Sequence, residues 1–278
     1  MHLYSRHPSF LTCYAAGFLL AYSRLVQAIS GTVEVDLVFP QNDTYAPAPV
    51  FPIAFTFRNS ELAGYLQPQV FYTIYPYRGD DSEHDPAAVG DFDMAWANWT
   101  TSDPYIEYGG AVTLDTEGTW LLLWDVEATT CSASGPLNAT TGYWSYEMIF
   151  TTKKGAKKLD LTAATSGELC SRSLNVTFDI TGTRDSGNLF ENKKPCAVVA
   201  EAAPAPTPCA AKIEASAASS ISSDLTFRAC VTQTVDPAPW CPPPEKDHGA
   251  RSLVVPDLAV GGVAFLAIAI GGLGFFMI

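Results

Sequence analysis

Three stretches of the chain alternate apolar and polar residues at the two-residue period of a strand with one covered face. Val33, Val35 and Leu37 are separated by Glu34 and Asp36; Val70, Tyr72 and Ile74 by Phe71 and Thr73. Leu174, Val176, Phe178 and Ile180 alternate with Asn175, Thr177 and Asp179. Between them, residues 53–57, 119–126 and 146–152 are β-branched and aromatic runs bounded by Gly, Pro, Asn or Asp. No sustained helical stripe interrupts this region. The pattern predicts an all-β body over residues 29–185, an antiparallel two-sheet sandwich of immunoglobulin-like type. A body of this size buries enough surface to fold on its own core, so disulfides only add to it.

The composition changes after residue 183. Residues 184–194 are polar and read as a long loop, and residues 201–208 form an extended Pro/Ala connector. Ile213, Ala217 and Ile221 then recur at a four-residue spacing, which predicts one short helix between Cys209 and Cys230. Residues 236–244 are again Pro-rich. Residues 186–247 are therefore expected to form a small disulfide-stapled C-terminal appendage and stalk.

Both ends are hydrophobic. Residues 1–28 carry Arg6 and His7, then an apolar stretch over 10–21 too short to span a bilayer, then Val26 and Ala28 around Gln27. That is the layout of a signal peptide. Residues 258–278 are apolar, uncharged and followed by no cation. A glycolipid-attachment signal has such a bare tail behind a spacer of about 8–12 residues and a site of small residues. The expected attachment residue is Asp247, with Gly249 as the alternative, and residues 248–278 are the anchor signal. The competing reading is an ordinary membrane-spanning helix. Either way the membrane is a partner, and the expected address is the extracellular face of the plasma membrane or the cell wall.

Charge and cysteines fit that compartment. Arg6, Arg24, Arg251 and Asp257 fall outside residues 29–247, leaving 13 of the 16 cations and 28 of the 29 carboxylates. Such an acidic surface repels phosphate backbones, so no nucleic-acid partner is expected. Cys13 lies in the leader, which leaves Cys131, Cys170, Cys196, Cys209, Cys230 and Cys241. An even number in a secreted chain predicts three disulfides, with the pairing open in principle. Cys131–Cys170 is the expected bond within the sandwich, because the other four cluster after residue 195. Asn42, Asn98, Asn138 and Asn175 each stand two residues before a threonine and are glycosylation acceptors.

Two blocks carry a resemblance. Gly31-Thr-Val-Glu-Val-Asp-Leu-Val-Phe-Pro, with Asp43-Thr-Tyr-Ala-Pro and Phe51-Pro-Ile-Ala-Phe, resembles the opening of an uncharacterised family of secreted cell-surface proteins from filamentous ascomycete fungi. Cys209-Ala-Ala-Lys-Ile-Glu-Ala-Ser-Ala-Ala-Ser-Ser-Ile, leading to Cys230, resembles that family's second signature. The resemblance spans nearly all of the chain between leader and tail. It implies a fungal cell-surface protein with a domain of unknown function, and no catalytic residues to transfer.

The candidate chemistry is sparse. Within residues 29–247 His84 is the one histidine, without a Gly-x-Ser-x-Gly elbow or a His-Glu-x-x-His pair, so no catalytic constellation, metal site or cofactor is expected. Asp80, Asp81, Glu83, His84 and Asp85, with Asp91 and Asp93 nearby, are dense enough to be weighed as calcium ligands, but lack the spacing of a calcium loop and are read as a solvated connection. Lys153, Lys154, Lys157 and Lys158 around Gly155 read as a hairpin tip guarding a hydrophobic strand. In the acidic stretch 80–108, Trp96, Trp99, Tyr105 and Tyr108 gather beside carboxylates, the composition of a carbohydrate-stacking surface; packing at the sandwich edge is the plainer reading. The function expected is a non-catalytic, glycosylated cell-surface or wall protein whose candidate ligand is wall polysaccharide. Its alternatives are a carboxylate-based enzyme on wall polysaccharide and a protein-recognising surface or effector module.

Overall fold

A computed structural model gives the fold and describes residues 29–79, 85–111, 114–231 and 239–241. Ten strands make one hydrogen-bonded, mixed sheet that does not close: β1 Gly31–Phe39, β2 Thr44–Tyr45, β3 Phe51–Arg58, β4 Gln69–Pro76, β5 Ala88–Asp93, β6 Tyr105–Ala111, β7 Gly118–Cys131, β8 Ala139–Thr152, β9 Leu174–Arg184 and β10 Cys196–Val199. Four α-helices, α1 Ser60–Ala63, α2 Leu161–Ala164, α3 Gly167–Cys170 and α4 Ala215–Val231, and one 3-10 turn, Gly64–Leu66, accompany them among the described residues.

The strands fall into two runs, β5-β4-β7-β8-β2 and β10-β9-β1-β3-β6, which meet where Ala197 of β10 pairs with Thr130 at the end of β7. The sheet folds over so that one face of each run meets the other. Phe55 of β3 reaches Trp124 of β7 at 5.3 Å between ring centres, Phe51 reaches Phe150 of β8 at 5.3 Å, and Trp144 of β8 meets Phe178 of β9 at 4.8 Å. Alternate residues supply this core: Val33, Val35 and Leu37 from β1, Val70, Tyr72 and Ile74 from β4, Trp120 to Ala128 at every second position of β7. Two pairings, β2 with β8 and β10 with β7, are parallel, which corrects the expectation of a purely antiparallel scheme.

The polar positions of β1 do not face water. Every residue from Val33 to Phe39 is buried, Glu34 and Asp36 included. The reason is a third layer, built from residues 200–231, on the outer face of β9, β1, β3 and β6. Thr177 Oγ1 of β9 donates to Pro204 O at 2.6 Å, and Thr207 N–H donates to both carboxylate oxygens of Glu34. The helix expected from the four-residue spacing is present as α4; it buries Ile221, Leu225 and Ala229, while Ile213 is buried just before it. Leu225 lies over Gly110 of β6, where an added Cβ would come within 2.8 Å of Val50 and 3.3 Å of Leu225. Tyr108 Oη of β6 donates to Asp224 of α4 at 3.1 Å.

The disulfides are Cys131–Cys196, Cys170–Cys209 and Cys230–Cys241. The expected Cys131–Cys170 bond is thus corrected. Cys131 ends β7 beside the first residue of β10, and Cys170 ends α3 beside the connector that carries Cys209. Two of the three bonds therefore cross the line drawn at residue 185. The segment expected as a small disulfide-stapled appendage lends the sheet a strand and covers one of its faces.

Candidate functional site

The aromatic connection resolves into two different environments. Trp96 is 69% exposed, whereas Trp99, Tyr105 and Tyr108 are buried. Trp99 packs edge-on to Phe57 at 5.3 Å and tilted 47° to Tyr105 at 4.9 Å, and its carbonyl accepts from Ser60 Oγ. Burial raises the phenols of Tyr105 and Tyr108 above their ordinary range, the neighbouring carboxylates Glu107 and Asp224 adding to it. Four coplanar, exposed rings are not built here, which corrects the reading of these residues as one stacking surface. Trp99 and Tyr105 face inward because β6 places Tyr105 opposite Phe57 and the core of β3 is the nearest apolar surface, whereas Tyr108 stands on the other face of β6 and is covered by α4.

Sequence reasoning missed a cluster of charge on β1. Glu34 and Asp36 stand two residues apart, so both point to the outer face, and register sets Glu34 opposite Arg58 and Asp36 opposite Thr56 of β3. Arg58 forms an ion pair with Glu34, and Thr56 Oγ1 donates to Asp36 at 3.4 Å. Burial, then the Glu34 carboxylate that it hydrogen-bonds, pushes Asp36 up to about 7. Asp36 therefore holds a proton at mildly acidic pH and donates it to Glu34. The two carboxyls touch one another beneath Pro204 and Thr207, whereas glycoside hydrolysis requires about 5–9.5 Å between two carboxyls that flank a bound sugar. The signal for this cluster was in the sequence: two acids at i and i+2 on a strand, facing an Arg and a Thr at matching spacing on another.

The opposite side of the molecule is open. On the outer face of β5, β4, β7 and β8, one row of register partners reads Asp91, Phe71, Asp125, Ser145, and the next reads Asp93, Gln69, Glu127, Tyr143. A further row is Val89, Thr73, Leu123, Glu147. Phe71, Val89 and Tyr143 are exposed, as is Tyr77 just past β4, and no Lys or Arg stands in these rows. The Glu127 carboxylate beside Tyr143 raises its phenol, and a hydrogen bond to the same carboxylate adds to the shift.

A family model described as a domain of unknown function, DUF7136, matches residues 28–243. The chain belongs to this family. No curated protein and no solved structure matches it. The DUF7136 match runs through the strands, the connector and α4 alike, in keeping with a covering layer bonded to the sheet.

The remaining candidate positions of the DUF7136 domain lie apart from one another. Asn42, Asn98 and Asn138 are exposed and Asn175 is half-buried. Lys157 pairs with Asp43 and sits 5.0 Å over the ring of Tyr45, while Gly155 turns the chain after β8 with a φ of +79°. Among the described residues, no group of His, Cys, Asp and Glu is placed to hold a metal, and no helix is long and apolar enough to cross a membrane. Asp80 to His84, the leader, Asp247, Gly249 and the C-terminal tail lie outside the described residues.

Proposed function

We propose that this chain is a non-catalytic, glycosylated protein of the extracellular face or cell wall, an immunoglobulin-like sandwich held by a lipid at its C-terminus, and that it binds wall polysaccharide. The observation that carries this reading is the open face of β5, β4, β7 and β8, where Phe71 and Tyr143 stand among Asp91, Asp93, Asp125 and Glu127. Apolar sugar faces pack on exposed rings, and carboxylates accept from sugar hydroxyls. Trp96, exposed beyond the end of β5, is the one ring of the aromatic connection that remains accessible to a sugar. Three disulfides and the three exposed glycosylation acceptors Asn42, Asn98 and Asn138 support an extracellular address.

Sedimentation with insoluble β-glucan and with chitin tests this reading. The parent protein is expected in the pellet, with Phe71→Ala and Tyr143→Ala each weakening binding by about 1–3 kcal/mol at an unchanged melting temperature. A parent protein that stays in the supernatant with both polymers contradicts it.

A further inference from the structure

We infer that the free edge of β8 pairs with β8 of a second copy of this chain, antiparallel and about a two-fold axis at Ser145. β8 is hydrogen-bonded to β7 along its whole length, with no shift of register from Ala139 to Thr152. Its other edge carries β2, which reaches only Thr151 and Thr152. There Thr151 N–H donates to Asp43 O at 3.0 Å and Lys153 N–H to Tyr45 O at 2.8 Å. By the two-residue period, Thr141, Tyr143, Ser145, Glu147 and Ile149 also direct their main-chain groups to that edge. Among the described residues no strand lies beside them.

Exposed edges are usually guarded by Pro, Lys or a bulge. Residues 139–152 contain neither Pro nor Lys, and Glu147 is their single charge. The four lysines at 153–158 stand past the strand, at the end that β2 already covers. The strands at the opposite ends of the two runs, β5 and β6, are 6 and 7 residues long against 14 for β8, so β8 carries the longest stretch of unpaired edge among the described residues.

A second copy fits this edge by register. Pairing centred on Ser145 puts Tyr143 opposite Glu147 of the second copy, and Trp144 opposite its Tyr146. No like charges face each other, and an aromatic pair extends the inner face. A groove of about 670 Å³, lined by Asn42, Glu147, Met148, Ile149, Arg172 and Leu174, runs beside the half of the edge that would receive Thr141 and Tyr143 of the copy. The two-fold pairing consumes both edges, so it closes at a dimer rather than growing into fibres. The net charge of −13 opposes it, and salt screening strengthens it.

Analytical ultracentrifugation of the full chain in low and high salt, as secreted and after enzymatic glycan removal, reads the pairing, because Asn42 and Asn138 stand at the two ends of the edge. The expected result is a discrete dimer favoured by salt, in which hydrogen exchange of the main-chain amides of Tyr143, Ser145 and Glu147 is slowed. A dimer that forms only after glycan removal also supports the pairing and shows that sugar gates it. Ser145→Pro removes an edge N–H without touching the bonds to β7, and Tyr143→Glu sets like charges opposite each other across the pairing; both are expected to return the protein to the monomer mass, the second as a folded monomer that melts somewhat lower because the new carboxylate also faces Glu127 of β7. A monomer under every condition, a dimer untouched by Tyr143→Glu, or edge amides that exchange equally fast in dimer and monomer would overturn the inference.

Discussion

Asp36 donates a hydrogen bond to Glu34 beneath a main-chain N–H. Asp36, raised from 3.8 to about 7 by burial and by Glu34, donates to the Glu34 carboxylate, which also accepts from Thr207 and pairs with Arg58. A strand of the sheet is thereby tied to the connector that crosses its outer face.

The first prediction concerns pH. The unfolded chain releases the Asp36 proton near 3.8 and the folded protein keeps it to about 7. Between those values the native state binds more protons, so this group's contribution to stability is complete below the lower value, falls as pH rises, and levels off above the upper one. Asp36→Asn keeps a donor toward Glu34 and cannot ionise. Its stability relative to the parent should therefore climb from about pH 4 to about pH 7 by a few kcal/mol and then stay level. Urea melts across that range check it, and a difference independent of pH contradicts the proton held by Asp36.

A second prediction concerns the ion pair. Glu34 is 1% exposed, so Arg58→Met leaves a buried carboxylate without its cation. The expected loss is about 3–5 kcal/mol in a denaturant melt. A loss of about 0–1 kcal/mol, the size seen for pairs in water, would mean that the covering layer does not seal the site.

The aromatic connection supplies a third. Trp99→Ala empties a site packed by Phe57 and Tyr105 and should cost about 3–5 kcal/mol. Trp96→Ala removes an exposed ring and should stay within about 0.5 kcal/mol of the parent. Thermal melts of the pair decide it; equal effects would contradict the two environments.

Much of the sheet is legible in the residues, and the exceptions have physical causes. The alternations at 33–37, 70–74 and 174–180 all became strands, because each has one face on the core. β5 and β6 were hidden by their glycines. Gly90 lies against the ring of Tyr72, where a Cβ would come within 2.4 Å, and Gly109 lies against Phe92 at 3.0 Å. Glycine in a strand can mark a close approach, yet in sequence it reads as a turn. Glu34 and Asp36 looked solvent-facing because nothing local announces a cover that arrives some 170 residues later. The true partner of Cys131 lies 65 residues on and was hidden for another reason: its neighbour is set by sheet order and not by spacing.

A fourth prediction follows from the staple on that cover. Cys170–Cys209 closes a separation of 39 residues, and replacing both cysteines by Ser should cost about 3–4 kcal/mol in the chain-entropy account. Limited proteolysis should then cut first in the connector at 201–208. Cleavage elsewhere first, with the connector intact, would show that the hydrogen bonds from Thr177 and Thr207 hold the layer without the disulfide.

The covered face, and with it the open one, depends on Cys196 being tied to Cys131 and Cys209 to Cys170. Peptide mapping under non-reducing conditions measures this directly. The expected linked peptides join Cys131 to Cys196, Cys170 to Cys209 and Cys230 to Cys241. A peptide joining Cys131 to Cys170 would contradict the covering layer and return the C-terminal segment to a separate appendage.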